Sequence, residues 1–156
     1  MAASLSFAPS AVSGERMIRA IFQLLAISFG AAGTVFLLLP DATVQAANVT
    51  GSLFGAFPPA PPSQLRFWLS LGVSYMALVT ILAVLIQRDP TRYRHLMPVL
   101  AAGKFCSSST SLLFFVFSSP TFLYLLTFLV DGSITLTVLG CYRWIALQAR
   151  TPATNR

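Results

Sequence analysis

The apolar runs 20–39, 67–87, 96–117 and 121–142 hold only two charged side chains between them, Lys104 and Asp131. A helix that crosses a bilayer needs about 20 mostly apolar residues, and each of these runs is long enough. A charge at membrane depth costs about 2.5–3.5 kcal/mol on insertion scales, so it is seldom left facing lipid. The pattern predicts an all-α, integral membrane four-transmembrane-helix bundle, a single membrane domain over residues 1–156. Lys104, the sole lysine, and Asp131 should meet inside it.

Charge and proline mark the ends of the runs. Pro40-Asp41 closes the first, Arg88-Asp89-Pro90 the second, Ser118-Ser119-Pro120 the third and Arg143 the fourth. Proline removes a backbone donor and clashes with the preceding turn, so helices stop there. Helices are expected at about 17–39, 67–87, 96–117 and 121–146. Basic residues orient them. Arg16 and Arg19 precede the first helix, Arg88, Arg92 and Arg94 separate the second from the third, and Arg143, Arg150 and Arg156 follow the fourth. Only Arg66 lies in the first connection on the other side. Both termini and the 88–95 loop should be cytoplasmic.

Only 9% of the 156 residues are charged, against about 25% in a soluble domain, and 56% are hydrophobic. So few charges cannot cover a soluble surface. The net charge of +6 does not point to nucleic acid, because the arginines flank apolar runs and form no basic stripe. They should instead meet the headgroups of membrane lipids. Trp68, Tyr93, Tyr142 and Trp144 stand near run ends, where aromatic belts form. Nine arginines to one lysine is a bias that GC-rich genomes produce.

Residues 1–15 read as a small, polar N-terminal tail, and 41–65 as the outer loop. That loop contains Gly51, Gly55, Phe54, Phe57 and the run Pro58-Pro59-Ala60-Pro61-Pro62. The prolines favour a stiff extended stretch. The phenylalanines should fold back onto the bundle as a cap, or meet a partner. Asn48-Val49-Thr50 fits the glycosylation pattern, which matters only in a eukaryotic secretory pathway. Val44-Gln45-Ala46 resembles the end of a cleaved signal peptide. The apolar run before it is longer than a signal core and ends several residues earlier, so the first run is expected to be retained.

Helical spacing arranges the polar interior. Lys104, Ser107, Ser108 and Ser111 follow i, i+3, i+4, i+7 on the third helix. Tyr124, Thr127, Asp131 and Thr135 share a face of the fourth. Gln23, Ala26, Gly30, Gly33 and Thr34 form a small-residue stripe on the first, and the second offers Gly72 and Tyr75. Such residues pack membrane helices closely, because lipid supplies no hydrophobic drive between them. Counted from the cytoplasmic side at roughly 1.5 Å per residue, Lys104 starts about 10 Å deep and Asp131 about 17 Å deep. A lysine side chain covers that offset, so a salt bridge or a water-bridged equivalent is expected. It can be read as an ion pair that sets helix register, as a polar pocket for a headgroup, a quinone ring or a proton, or as a charge whose true counter-charge a partner protein supplies.

Other chemistry finds little support. The two cysteines, Cys106 and Cys141, form no C-x-x-C motif. Their depths differ by roughly 10 Å, too far for a disulfide. Both read as buried small apolar residues. His95, the only histidine, follows Arg92-Tyr93-Arg94 and should sit solvated at the interface, not ligate haem or chlorophyll. A retinal Schiff base on Lys104 would need a larger enclosure. No H-x-x-H, E-x-x-H or clustered carboxylates suggest a metal, and no nucleotide loop occurs. Serines beside Lys104 meet the letter of a Ser–Lys nucleophile, but serine stripes in membrane helices are commonly packing devices. No enzyme and no particular cofactor is expected.

Arg19 entering the first helix, Gly30 and Gly33 within it, its proline-marked end and the long first outer loop give a layout that resembles small bacterial four-helix membrane proteins of the DoxX-like kind. The resemblance is topological, covers roughly residues 16–142 and carries over no functional residue. It implies a multi-pass protein of the cell membrane, the bacterial inner membrane. The expected function is that of a non-catalytic accessory or structural subunit packed against other membrane protein subunits in a larger complex. The alternative is a binder or carrier of a small lipophile (lipid, quinone or pigment) at the Lys104–Asp131 site.

Overall fold

The computed structural model describes residues 9–55, 57–61 and 66–149. The described chain is helical in five pieces: α1 (Pro9–Leu38), α2 (Pro40–Phe54), α3 (Arg66–Arg88), α4 (Leu96–Phe117) and α5 (Phe122–Gln148). Helices α1, α3, α4 and α5 are long and apolar enough to cross a membrane. The chain is a multi-pass, all-helical membrane protein by that measure. Arg150, Arg156, residues 1–8 of the expected polar tail and part of the outer loop lie outside the described residues.

The helix boundaries follow local chemistry. Leu39 leaves the helical region (φ −135°, ψ 53°) because Pro40 follows it, and Pro40 then occupies the first turn of α2. Pro98 is likewise tolerated in the first turn of α4, where no backbone donor is lost. Between α3 and α4, the Asp89 carboxylate accepts the Arg92 amide at 2.9 Å and tightens the turn. At the end of α4, the Ser118 and Ser119 amides both return to the Phe114 carbonyl at 3.0 Å.

The long helices pack as two antiparallel pairs, α1 with α3 and α4 with α5. The pairs meet mainly through α3 and α4. Close approach within the first pair needs glycine: a Cβ on Gly33 would stand 3.0 Å from Met76 Cβ. Large side chains fill the space where the pairs meet, among them Phe22, Ile86, Met97 and Leu100, all fully buried. This apolar core draws on all four long helices, and most of it lies toward the 88–95 turn. We call that end the basic end. In the other half, burial passes to small and hydroxyl residues such as Gly33, Ser108 and Ser111.

Two expectations need correction here. The outer loop 41–65 contains a 15-residue helix, α2. Val44, Ala47, Asn48 and Gly51, at i, i+3, i+4 and i+7, form a buried or half-buried stripe along it. Gly51, which reads as a loop residue, sits within the helix because Phe122 of α5 occupies its open side: a Cβ there would stand 2.5 Å from Phe122 Cβ. Helix α2 follows α1 by one residue and reaches the start of α5 about 16 Å later, so it lies across the end of the bundle. Second, helix α1 begins inside the expected tail, and Gly14 packs directly under the Trp144 ring.

Candidate functional site

The Lys104 ammonium donates to Asp131 Oδ1 at 2.9 Å, and the two side chains are only 4% and 9% exposed. Lys104 leaves α4 one residue after Gly103, whose missing side chain admits the Tyr75 hydroxyl of α3: a Cβ on Gly103 would stand 3.3 Å from it. Two rings complete the surround. The ammonium lies 4.5 Å from the centroid of Phe29 on α1 and 5.4 Å from that of Tyr75. Both distances fall within the roughly 6 Å over which a ring face attracts a cation. One lysine thus touches a residue from each of the other long helices. Its carboxylate partner comes from its own pair, α4/α5, and its aromatic partners from α1/α3.

The other hydroxyls named in the sequence divide into those that join this centre and those that do not. Ser108 crosses from α4 to α5, donating to the Phe128 carbonyl at 2.9 Å. It can do so because Gly132 leaves room, a Cβ there being 3.2 Å from Ser108 Oγ. Ser111 is buried one turn further on, and Ser107 is half-buried. Thr135 and Thr127 donate back along their own helix, to Asp131 O at 2.8 Å and Leu123 O at 2.9 Å. Threonine in a helix commonly takes this i−4 bond. Tyr124 lies toward the opposite end, its ring 5.5 Å from that of Phe114. The eight residues therefore do not form one pocket. Lys104 and Asp131 form a closed ion pair, with Ser108 pinning the two helices one turn away.

On α1, Ala26 and Gly33 are buried and Gly30 half-buried, but Gln23 and Thr34 are exposed at the edges of the stripe. Gly72 lies open, with no atom within 4 Å of where its Cβ would be. Cys141 is buried as expected, whereas Cys106 faces outward, because α4 turns Lys104 and Ser108 inward on either side of it. Phe29 was not among the candidates. It belongs to the series Phe22, Ala26, Phe29, Gly33, and only the small residues of that series attract notice in a search for polar sites.

At the opposite end, the Asn48 side chain brings the 57–61 segment back onto α2. Its amide donates to Ala60 O at 3.0 Å and its carbonyl accepts the Ala60 amide at 2.8 Å. Both halves of the group that a glycan would need are engaged. Phe54 stacks on Phe122 at 5.7 Å, and Phe57 meets Phe122 edge-on at 5.6 Å and Phe115 at 6.5 Å. The phenylalanines of the outer segment do fold back, and they do so around Phe122.

No known protein family, no curated protein and no solved structure matches the chain. Function must be read from the geometry alone. Among the described residues, no cluster of three or more histidine, cysteine or acidic side chains could hold a metal ion. The centre is a buried cation that meets one carboxylate and two aromatic rings of its own chain.

Proposed function

We propose that this chain is a non-catalytic accessory or structural subunit that packs against a larger membrane complex, with both termini and the 88–95 turn in the cytoplasm. The observation that carries this reading is the closure of the Lys104–Asp131 pair. A site that takes up a charged substrate needs an approach to its charged group. Here the cation is enclosed by a carboxylate and two rings, which suits a clamp between helix pairs. A hollow of about 320 Å³ lies on the outward side of α1 and α3, lined by Gly30, Gly33, Thr34, Ala77 and Thr80 among others, and the Phe29 ring that covers the ammonium forms part of its wall. Thr34 and Thr80 spend their hydroxyls on their own helices, at 2.9 and 2.7 Å. The hollow is thus apolar in effect, and its small residues allow the close backbone approach of another membrane helix.

The second reading, a carrier of a small lipophile, has one observation in its favour. The Tyr75 hydroxyl, beside Lys104, is buried without a hydrogen-bond partner. A buried polar group left unmatched costs about 1–3 kcal/mol, and a ligand oxygen could relieve it.

Native mass spectrometry of protein extracted gently from its own membrane separates the two. The subunit reading expects a stoichiometric assembly with other protein chains. A chain that flies alone would overturn it. If that lone chain carries a small molecule that Tyr75→Phe removes, the carrier reading replaces it.

A further inference from the structure

Four residues at the basic end of α5 share one outward face: Leu136, Leu139, Gly140 and Arg143, at i, i+3, i+4 and i+7. With Tyr142 they line a hollow of about 550 Å³. Its floor is Gly140, where an added Cβ would meet nothing within 4 Å. Its lower wall is apolar, and Leu136 is 74% exposed. Its upper edge is cationic.

The depth of that edge fixes what it would meet. Arg143 lies about 32 Å along α5 from Phe122 at roughly 1.5 Å per residue. The hydrocarbon core of a bilayer is about 30 Å thick, so with Phe122 at its far edge the guanidinium would stand at the level of lipid phosphates. Leu139, Gly140 and Leu136 lie roughly 5–10 Å deeper, among acyl chains. Arg143 is also uncommitted: it makes no ion pair or hydrogen bond among the described residues. Arg19 is paired with Glu15 at 2.7 Å and Arg92 lies over the Tyr93 ring at 5.5 Å, while Arg16, Arg88 and Arg94 share Arg143's lack of an ion pair among the described residues; what sets Arg143 apart is the hollow beside it.

We propose that this face binds one anionic phospholipid, its phosphate on Arg143 and an acyl chain laid over Gly140 between Leu136 and Leu139. Charge complementarity selects a lipid over a partner helix here. A helix would press its apolar flank against an exposed guanidinium, whereas a phospholipid offers an anion at that height and a chain below it. A planar guanidinium also matches phosphate geometry with paired donors. The site is independent of the proposed docking of other chains, because α5 presents it on a different helix from the α1/α3 hollow.

The test is a titration of the isolated chain in neutral detergent with phosphatidylglycerol or phosphatidylcholine, read by native mass spectrometry. One phosphatidylglycerol should stay bound under conditions that strip phosphatidylcholine. Arg143→Gln should weaken that binding about fivefold, the worth of one basic residue near an anionic surface. Gly140→Leu, which fills the floor and keeps the charge, should weaken it at least as much. Neither position touches the core, and unchanged helicity and thermal unfolding confirm that the variants fold. Arg92→Gln should leave binding as it is. Equal binding of the two lipids would overturn the proposal. So would an Arg92→Gln loss equal to that of Arg143→Gln, which means diffuse attraction to a basic rim. Full binding by Gly140→Leu would show that charge acts without the groove, and would overturn it too.

Discussion

Lys104 has its cationic head inside the bundle at almost no solvent exposure, and everything that neutralises it comes from a different helix. Replacing such a pair by apolar residues is often tolerated, whereas removing one partner strands a charge, at about 3–5 kcal/mol. Lys104→Met and Asp131→Leu should therefore each destabilise strongly, and the double variant should recover at least half of the summed loss. Unfolding by denaturing detergent, run as a double-mutant cycle, measures this. Strictly additive losses would sink the clamp. The pairing was legible in the sequence, because two opposite charges in a nearly charge-free interior have few other partners. The aromatic surround was only half legible: Tyr75 stood out as a polar residue of the second span, but Phe29 looks like any lipid-facing phenylalanine until the helices are placed.

At the level of the helices, glycine separates contact from solvent and lipid. Gly33 and Gly51 are each closed by a neighbour's Cβ, Met76 and Phe122 respectively, while Gly72 is open. Overpacking a tight contact costs about 1–3 kcal/mol or more. Gly33→Leu and Gly51→Val should lower the unfolding midpoint clearly, and Gly72→Ala should leave it unchanged. A midpoint for Gly51→Val equal to the parent's would mean that α2 is not docked on α5. Helix α2 itself was missed because Gly51, Gly55 and the prolines at 58, 59, 61 and 62 read together as loop punctuation. Only Gly55, at φ +150°, actually ends a helix. Residues 42–47, Ala-Thr-Val-Gln-Ala-Ala, hold nothing that forbids one.

For the molecule as a whole, the large apolar core gathers at the basic end, and α2 with the Phe122 cluster closes the other. The proposed orientation puts the basic end in the cytoplasm. With Cys106 and Cys141 replaced by serine and alanine, a cysteine introduced at Thr91 should be labelled by a membrane-impermeant maleimide only after the membrane is opened. One introduced at Thr50, exposed on α2, should be labelled from outside in intact cells. The reverse pattern would invert the proposed topology. The native Cys106 must be removed, since it faces outward and could report falsely.

Hydropathy, proline and charge were enough to read the number of long apolar helices and the meeting of Lys104 with Asp131. All three are local signals, because the bilayer penalises charge and unpaired backbone residue by residue. They could not say which helices pair closely, that α2 crosses the far end, or that Phe29 and Tyr75 flank the ammonium. Lipid rewards no particular apolar face, so an outward Leu or Phe and an inward one look alike in sequence. What separates them is how near two backbones can come, and that is known only where Gly33 meets Met76, Gly103 meets Tyr75 and Gly51 meets Phe122.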